Sequence, residues 1–446
     1  MWLYLGGEVN LLNSKALTKT QSLILIAVIV IAAVGGVAYI LLNQQEQTSE
    51  TIKIGILADL DASGGKKVWK AAVLAAEQLN AEGGILGKQV ELIGEDSDST
   101  TSWDASHISL TITRLITHHK VDFIIAEGGY ETGLICQEVV AEHKIIFMDV
   151  NDGEELTQRV LDNYEKYKYY FTTAWNDTSN FQGITDSLLL LREDTGFNKV
   201  GIISEKWGEE IVDGLEYVLP EVYGFDLVYT SLFPYNTFDF SSYFAAAEAA
   251  GVEILIPIIA LDGGIPFVKE YFDRQSPLFI YGGIIFAVTD LESWEWTDGK
   301  CEHVCVANSP IVGGYPLTSK TISTRESFFN RWGESIELTG SLSFDTIRHI
   351  LADAIECAGT TETDAVIKAL EETSIETSNA ENFVFTSSHG VMMGENPNDP
   401  DADYSLVIVF QWQNGKLVPV YPKKIMEEAG ATYFFPDWPG PWDNLD

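Results

Sequence analysis

The residues with the most chemical character follow a short apolar run at positions 122–132, DFIIAEGGYET. The apolar residues predict a buried strand, and paired glycines, Tyr130, Glu131 and Thr132 follow it just before a helical pattern. In open α/β sheets, ligands bind at the carboxyl ends of the strands. Glycine also lets a backbone approach a ligand closely. The segment therefore predicts a polar, acidic turn at a ligand site.

The chain contains no motif that is typical of a catalytic centre. The GxSxG pattern of a nucleophile elbow and the HExxH pattern of a zinc hydrolase are absent. The stretch ASGGKK lacks the glycine spacing of a phosphate-binding loop. Carboxylates are so numerous that no pair stands out as an acid–base couple. The sequence predicts a protein that is not an enzyme and uses no cofactor.

One loop offers a weak metal candidate. Asp399, Asp401 and Asp403 alternate in the stretch NDPDADY, and carboxylates at alternate positions are typical of calcium loops. A solvated acidic turn is the simpler interpretation of so polar a stretch, and it is the one we favour. We therefore predict no metal site, with these three residues as the weak alternative.

Two of the cysteines are close enough in sequence to pair. Cys301 and Cys305 flank EHV in a polar loop, so an oxidising compartment would favour a local disulfide. A zinc site that also uses His303 is the alternative, although four well-spaced ligands are not visible.

The net charge narrows the choice of partners. The 446 residues contain 27 Lys+Arg against 66 Asp+Glu, which gives a formal net charge of −39. Such a field repels phosphate backbones, so the composition predicts no nucleic-acid partner. The charge favours a cationic or neutral partner only weakly, and we favour the simpler interpretation of a highly hydrated, salt-tolerant surface that does not indicate the ligand.

The N-terminus carries the one long uncharged run. Leu23–Leu42 reads LILIAVIVIAAVGGVAYILL, which is long enough to span a bilayer as a helix. Lysines precede it and glutamates follow it, so residues 1–22 are predicted to be a short cytoplasmic tail and residues 43–446 to lie outside the cell membrane. Residues 43–51 form a linker. A cleaved signal peptide is the competing interpretation.

The remaining chain alternates between strand and helix patterns. From Ile52 to Val150, four strand patterns are separated by helical ones, and a second such series runs from Asn198 to Ile285. This alternation predicts two Rossmann-like α/β lobes with parallel sheets and a cleft between them. Towards the C-terminus, ENFVFTSS and YSLVIVFQWQNGKLVPVYP predict antiparallel strands, with a hairpin turn at Asn414-Gly415.

Several motifs in order resemble the type I periplasmic binding proteins, in particular the leucine/isoleucine/valine-binding family of ABC transporters. The opening, IKIGILADL…AAEQLNAEGGILGKQVELIGEDSDS, is similar to the start of that family. FTTAWNDTSNFQG resembles its crossing into the second lobe, and KVGIISEKWGEEIVDGL resembles the strand and helix that follow. FDTIRHILADAIECAG and the hairpin QWQNGKLVPVYP complete the resemblance, which covers about residues 52–425.

The resemblance implies two lobes joined by three crossovers and a small ligand held in the cleft between them. Lobe 1 would comprise residues 52–171 and 314–378, lobe 2 residues 172–313 and 379–425, and residues 426–446 a C-terminal tail. The expected function is non-catalytic delivery of an amino acid, amide or cationic amine to an ABC permease. An extracellular ligand-sensing domain of a receptor complex is the alternative.

The resemblance also nominates ligand-binding positions, several of which depart from the amino-acid-binding pattern. Glu131 replaces a small hydroxyl residue, while Thr132 keeps a hydroxyl nearby. Aromatic and acidic side chains together suit a cation or an amide, and an amino-acid-like ligand is the alternative. The predicted positions are Asp61, Ser63, Gly129, Tyr130, Glu131, Thr132, Asn151, Asp152, Trp175, Trp207, Asp262 and Gly283.

Overall fold

The first lobe is built on a parallel sheet of five strands. A computed structural model of the chain describes residues 51–99, 104–151, 153–175, 177–235, 237–259, 261–281, 284–399 and 402–445. In this lobe the strand order is β2-β1-β3-β4-β5, and every neighbouring pair is parallel. The strands are β1 (Ile52–Ala58), β2 (Val90–Asp96), β3 (Phe123–Ala126), β4 (Ile146–Asp149) and β5 (Tyr170–Thr172).

Successive side chains of these strands are buried on opposite faces of the sheet. Ile54 and Ile56 pack in one apolar cluster, whereas Leu57, Ile124 and Phe147 pack in the other. Burying each such side chain stabilises the fold by roughly 1.5–3 kcal/mol. Because both faces are covered, the strands read as continuous apolar runs in the sequence.

Helices cover both faces of the first sheet. One face carries α1 (Ser63–Ala81) and four later helices. The other face carries α2 (Ala105–Arg114), α3 (Gly129–His143) and α4 (Glu154–Asp162). Helix α2 continues as a π-helical turn (Leu115–His119). A short helix, α5 (Tyr164–Tyr167), precedes β5.

The second lobe contains another parallel sheet, with the order β10-β8-β6-β7 and β9 also on β8. β9 and β10 pair with the first and the last residues of β8, so they act as one interrupted edge strand. The strands are β6 (Lys199–Glu205), β7 (Asp226–Phe233), β8 (Ile254–Ile259), β9 (Phe279–Ile280) and β10 (Ile284–Ile285). The helices are α6 (Asp177–Thr195), α7 (Glu209–Glu221), α8 (Ser241–Ala250), α9 (Leu261–Arg274) and α10 (Ser293–Trp296).

After a short helix, α11 (Pro310–Gly313), the chain returns to the first lobe and adds further helices to its sheet. Phe328, Leu342, Ile355 and Val366 all join the apolar cluster of that lobe. The helices are α12 (Thr321–Trp332), α13 (Leu338–Asp345), which continues as a π-helical turn (Thr346–Leu351), α14 (Ala352–Ala358) and α15 (Thr363–Glu371).

The C-terminal strands pair differently from the prediction. β14 (Ile408–Gln413) and β15 (Lys416–Tyr421) form the predicted hairpin, and Asn414 and Gly415 in its turn both have positive φ. The third strand of their sheet is β11 (Cys305–Asn308), which the sequence did not indicate. The ENFV segment instead forms β13 (Phe383–Val384) with β12 (Ser374–Ile375).

The last crossing between the lobes falls later than predicted. Phe383, Phe385 and Val391 belong to the apolar cluster of the first lobe, whereas Leu406 and Ile408 belong to that of the second. Within residues 379–425, which the sequence predicts in lobe 2, Phe383, Phe385 and Val391 therefore pack with the first lobe. A strand-like pattern shows that residues are buried, but it does not show against which sheet.

The C-terminal tail packs on the second lobe. A helix, α16 (Lys423–Glu428), is followed by Trp438 and Trp442, which are both buried in the second cluster. Trp438 Nε1 donates to the Ser276 carbonyl at 2.9 Å, and Phe434 N donates to Gln411 Oε1 at 2.7 Å.

The predicted transmembrane segment, residues 23–42, lies outside the described residues, together with the tail and linker predicted on either side of it up to Glu50. Within residues 51–445, as far as they are described, no helix has the length and apolar character needed to cross a bilayer.

Candidate functional site

The carboxyl ends of β1, β3 and β4 bring polar residues together at one edge of the first sheet. Ala126 lies opposite Leu57 on one side and Asp149 on the other, so the residues that follow these strands are neighbours. They include Asp59, Glu127 and Asn151. This edge corresponds to the ligand-binding end of a parallel sheet.

Glu127 is the most unusual residue at this edge. Burial and the nearby Asp59 carboxylate raise its pKa to about 7. Its Oε2 atom is buried and has no hydrogen-bond partner among the described residues. The Asn151 amide is near enough to lower this pKa slightly, but Asn151 Nδ2 also lacks a partner of ordinary hydrogen-bond geometry there. The Glu127 carboxyl and the Asn151 amide thus lie side by side, and each has an atom without a hydrogen-bond partner among the described residues.

The glycine turn after β3 starts helix α3 earlier than predicted. Gly129 has a φ of +78°, and the helix begins at this residue, so Tyr130 and Glu131 lie in its first turn. The Tyr130 hydroxyl donates to Glu155, and Glu131 is exposed. Thr132 is buried, and its Oγ1 has no partner among the described residues. Thr132, rather than Glu131, therefore supplies the unsatisfied group of this turn.

Helix α13 adds another carboxylate from a distant part of the chain. Glu337 precedes this helix and accepts a hydrogen bond from Ser63 Oγ at 3.3 Å. Burial raises the pKa of Glu337, and the Lys67 ammonium, at 3.9 Å, partly offsets this rise. Asp61 is exposed beside them, and its carbonyl accepts from Lys66 Nζ at 2.5 Å.

Two acidic residues approach this edge from the second lobe. Burial and the negative charge of Glu337 raise the pKa of Asp290 to about 7. The Glu292 carboxylate accepts hydrogen bonds from the backbone N–H and the hydroxyl of Ser335, which precedes Ile336 of the first apolar cluster. The two lobes therefore meet through acidic side chains.

A further acidic group lies at the carboxyl end of β6. Trp207 Nε1 donates to Glu205 Oε2 at 2.7 Å, which orients both side chains. Burial and the Glu205 charge raise the pKa of Tyr235 nearby. A Cβ on Gly263 would lie 3.1 Å from Glu205 Oε1, so the start of helix α9 approaches this carboxylate closely.

The predicted site residues are only partly brought together. Ser63, Thr132 and Asn151 lie at the acidic edge, Trp207 lies beside Glu205, and Trp175 is half-buried next to Ala174 of the first cluster. Positions 152 and 283 lie outside the described residues, as does the side chain of position 262.

Sequence reasoning missed the buried acids Asp59, Glu127, Glu205, Asp290 and Glu337. Three of them lie at or just after the carboxyl end of a strand, and that position is a signal that could have singled them out.

The predicted disulfide between Cys301 and Cys305 differs from what the structure shows. Cys301 and Cys305 are free buried thiols in the structure, and the predicted disulfide is not formed. Their sulfur atoms contact different carbonyls, those of Ser293 and His303, and the strand β11 carries Cys305 away. Burial raises the pKa of Cys301 to about 12.

The loop predicted as a weak calcium candidate, residues 398–404, contains an ion pair to a lysine. Asp403 forms an ion pair with Lys424 at 3.2 Å, and Asp399 N donates to the Asn396 carbonyl. Asp401 lies outside the described residues. Across the part of the chain that the structure describes, no three His, Cys, Asp or Glu side chains group as a metal site.

Relatives of the chain are binding proteins. The chain is 23% identical over 388 residues to "Leu/Ile/Val-binding protein homolog 8" of Brucella melitensis, an alignment that covers 83% of this chain and 91% of that one. A second relative, "Leu/Ile/Val-binding protein homolog 7" of Brucella suis, is 22% identical, and the alignment covers 84% of this chain and 92% of that one.

Solved structures share the fold at low identity. A branched-chain amino acid transporter substrate-binding protein from Streptococcus pneumoniae, in complex with isoleucine, matches with a TM-score of 0.67, 18% identity and coverage of 84% and 100% of the two chains. A solute-binding protein from R. palustris, in complex with benzoate, matches with a TM-score of 0.65, 14% identity and coverage of 83% and 95%.

The family assignment rests on a match over most of the chain. The sequence profile of the family described as "Periplasmic binding protein" matches residues 51–396, which include the parallel sheets of both lobes and the acidic edge. The chain therefore belongs to the periplasmic binding protein family, with the type I α/β fold, and it is a solute-binding protein rather than an enzyme.

Proposed function

We propose that the chain captures a small cationic amine or amide between its two lobes, outside the cytoplasm, and delivers it to an ABC permease. The observation that carries this proposal is Glu127, whose buried Oε2 lacks a partner among the described residues. A ligand N–H group would supply that partner, and a positive charge would relieve the repulsion between Glu127 and Asp59.

The acids on the second lobe support a ligand that both lobes hold. The Glu337 charge raises the pKa of Asp290 across the junction, so a cation between the lobes would favour closure around it. Thr132 Oγ1 and Asn151 Nδ2 add neutral groups that suit an amide. Isoleucine and benzoate in the structural relatives illustrate that this fold holds different small molecules.

The route to the permease rests on the family and on the N-terminal sequence. Periplasmic binding proteins deliver solutes to permeases, and residues 23–42 would keep this one at the membrane surface as a single-span anchor. Membrane fractions should release the protein with detergent and retain it at high salt. Release by salt alone would contradict the anchor without touching the ligand proposal.

Calorimetry on the full chain tests the ligand class. A polyamine and urea are titrated in parallel with leucine, isoleucine and valine. We expect binding within the first group, weakened about tenfold or more by Glu127→Gln, because a hydrogen bond to a charged group contributes about 1.5–3 kcal/mol. Glu142→Gln, at an exposed carboxyl near the other end of helix α3, is the control and should leave binding unchanged. Tight binding by the branched-chain amino acids alone would overturn the proposal.

A further inference from the structure

A second concave site lies where helix α12 faces the second lobe, with Leu291 and Ser335 at its border. Its cavity of about 550 Å³ falls in the range of small-molecule sites. Leu291 of the second lobe and Ile322 and Phe329 of helix α12 form its apolar part, and Phe329 is 57% exposed. Arg325 and Glu326 also line it.

Arg325 is the distinctive group of this cavity. Its guanidinium forms no hydrogen bond or ion pair with any described residue, although the chain carries 66 acidic residues. Burial lowers its pKa, while the charges of Glu326 and Glu292 act in the opposite direction. An arginine that is partly removed from water and lacks a carboxylate partner has five N–H donors with unused capacity.

The Arg325 guanidinium packs closely against the backbone at Gly314. Gly314 lies in the segment that crosses between the lobes, and it has a φ of +70°. A Cβ at this position would lie 2.0 Å from Arg325 Nη1 and 2.9 Å from its Cζ. Only glycine leaves room for this close approach, so the guanidinium lies directly against the crossing segment at the cavity.

These features together define a ligand of one class. We propose that the Arg325 cavity is a second binding site, which takes a small organic carboxylate with an apolar body. The guanidinium matches a carboxylate through paired N–H donors, and Leu291, Ile322 and Phe329 bury the apolar body. Asn330 and Ser335 provide polar groups at the border of the cavity.

A matched pair of probes tests the charge preference. Isocaproate and isohexylamine have the same branched apolar body and opposite charges, and each is titrated into the full chain by calorimetry. We expect isocaproate to bind at one site and isohexylamine not to bind there. Failure of isocaproate to bind, or equal binding by both probes to the Glu127→Gln variant, in which the amine site at the acidic edge is weakened, would overturn the proposal.

Variants then locate the site. Arg325→Gln should weaken isocaproate binding at least about tenfold, because it removes a charged hydrogen-bond donor. Arg325→Lys should restore part of the affinity, since it keeps the charge and loses the paired geometry. Gly314→Ala keeps Arg325 and displaces its guanidinium, so it should weaken binding as well. Thermal unfolding of each variant confirms that it is folded.

Glu127→Gln separates this proposal from the proposed function. It alters the acidic edge and should leave isocaproate binding unchanged. If Glu127→Gln abolishes isocaproate binding and Arg325→Gln does not, the carboxylate occupies the acidic edge and the second site is disproved. Loss of amine or amide binding in that variant, with isocaproate binding intact, supports both proposals.

Discussion

At the scale of single residues, Glu127 makes the stability of the unliganded protein depend on pH. Its pKa is raised from 4.5 to about 7. Between these values the folded chain holds a proton that the unfolded chain has lost, so the free energy of unfolding falls as pH rises from about 4.5 to about 7. Above that range, ionisation of Glu127 lowers the free energy of unfolding by at most about 3 kcal/mol.

Glu127→Gln is expected to remove this loss of stability. The variant should unfold at a higher temperature than the wild type at pH 8, with a gain of about 1–3 kcal/mol that shrinks as pH falls towards 4.5. Thermal unfolding followed by circular dichroism at several pH values measures it. Glu131→Gln changes an exposed carboxyl and should show no such gain. A Glu127→Gln variant that is less stable than the wild type at pH 8 would refute the assignment.

The cysteines give a second prediction at this scale. Cys136, Cys301 and Cys305 are buried free thiols, and Cys357 is exposed. Burial raises the pKa of the buried thiols, which further slows their alkylation because the thiolate is the reactive form. Iodoacetamide should therefore label Cys357 in the native protein and all four cysteines in denaturant, without prior reduction. Mass spectrometry that finds two unlabelled cysteines until a reductant is added would indicate a disulfide.

At the scale of secondary-structure elements, helix α1 can pack against the end of β1 only because Gly65 has no side chain. A Cβ there would lie 2.0 Å from the Asp59 carbonyl oxygen, which is backbone and cannot rotate away. Gly65→Ala should therefore destabilise the first lobe by about 2 kcal/mol or more. It should also disturb the loop that positions Asp59.

Gly214 is a matched control for that substitution. It lies inside helix α7, and a Cβ there would meet nothing within 4 Å. Gly214→Ala should raise the free energy of unfolding by up to about 1 kcal/mol, because alanine favours the helix and restricts the unfolded chain. Urea unfolding of both variants measures the contrast. Equal effects of the two substitutions would contradict the close helix–strand contact.

How far the sequence predicted these elements depended on how local their determinants were. The apolar runs of β1 and β3 and the Asn414-Gly415 turn are local signals, and the structure confirms them. Helix α3 begins at Gly129, earlier than its apolar pattern begins, because its first turn lies at the cleft and buries no apolar stripe. The pairing of β11 with β14 joins segments that are distant in sequence, which no local pattern reveals.

The same distinction explains why the candidate site was predicted only in part. Thr132 and Asn151 follow strands, and their positions could be inferred from the resemblance. Glu127 looks like any other carboxylate in a chain with 66 of them. Its raised pKa arises from burial and from charges on Asp59 and Glu337, and Glu337 precedes a helix, α13, that is distant in sequence and packs on the first sheet.

At the scale of the whole molecule, a hydrogen-bonded contact joins the two lobes. Glu292 of the second lobe accepts two hydrogen bonds from Ser335 of the first, one of them from the backbone N–H at 2.9 Å. Burial acts to raise the pKa of Glu292, but these hydrogen bonds outweigh it and hold the pKa below its usual range. The carboxylate is therefore ionised near neutral pH, and both hydrogen bonds are charge-assisted.

Glu292→Ala removes this contact and should shift the unliganded protein towards an open form. A hydrogen bond to a charged group contributes about 1.5–3 kcal/mol, which corresponds to a change of about tenfold or more in the ratio of closed to open molecules. Small-angle X-ray scattering should then give a larger radius of gyration for Glu292→Ala than for the wild type. Glu295→Ala, at an exposed position of helix α10, which Glu292 directly precedes, should scatter like the wild type. Identical scattering from all three proteins would show that other contacts hold the lobes together, since hinge closure depends on the sum of such contacts across the junction.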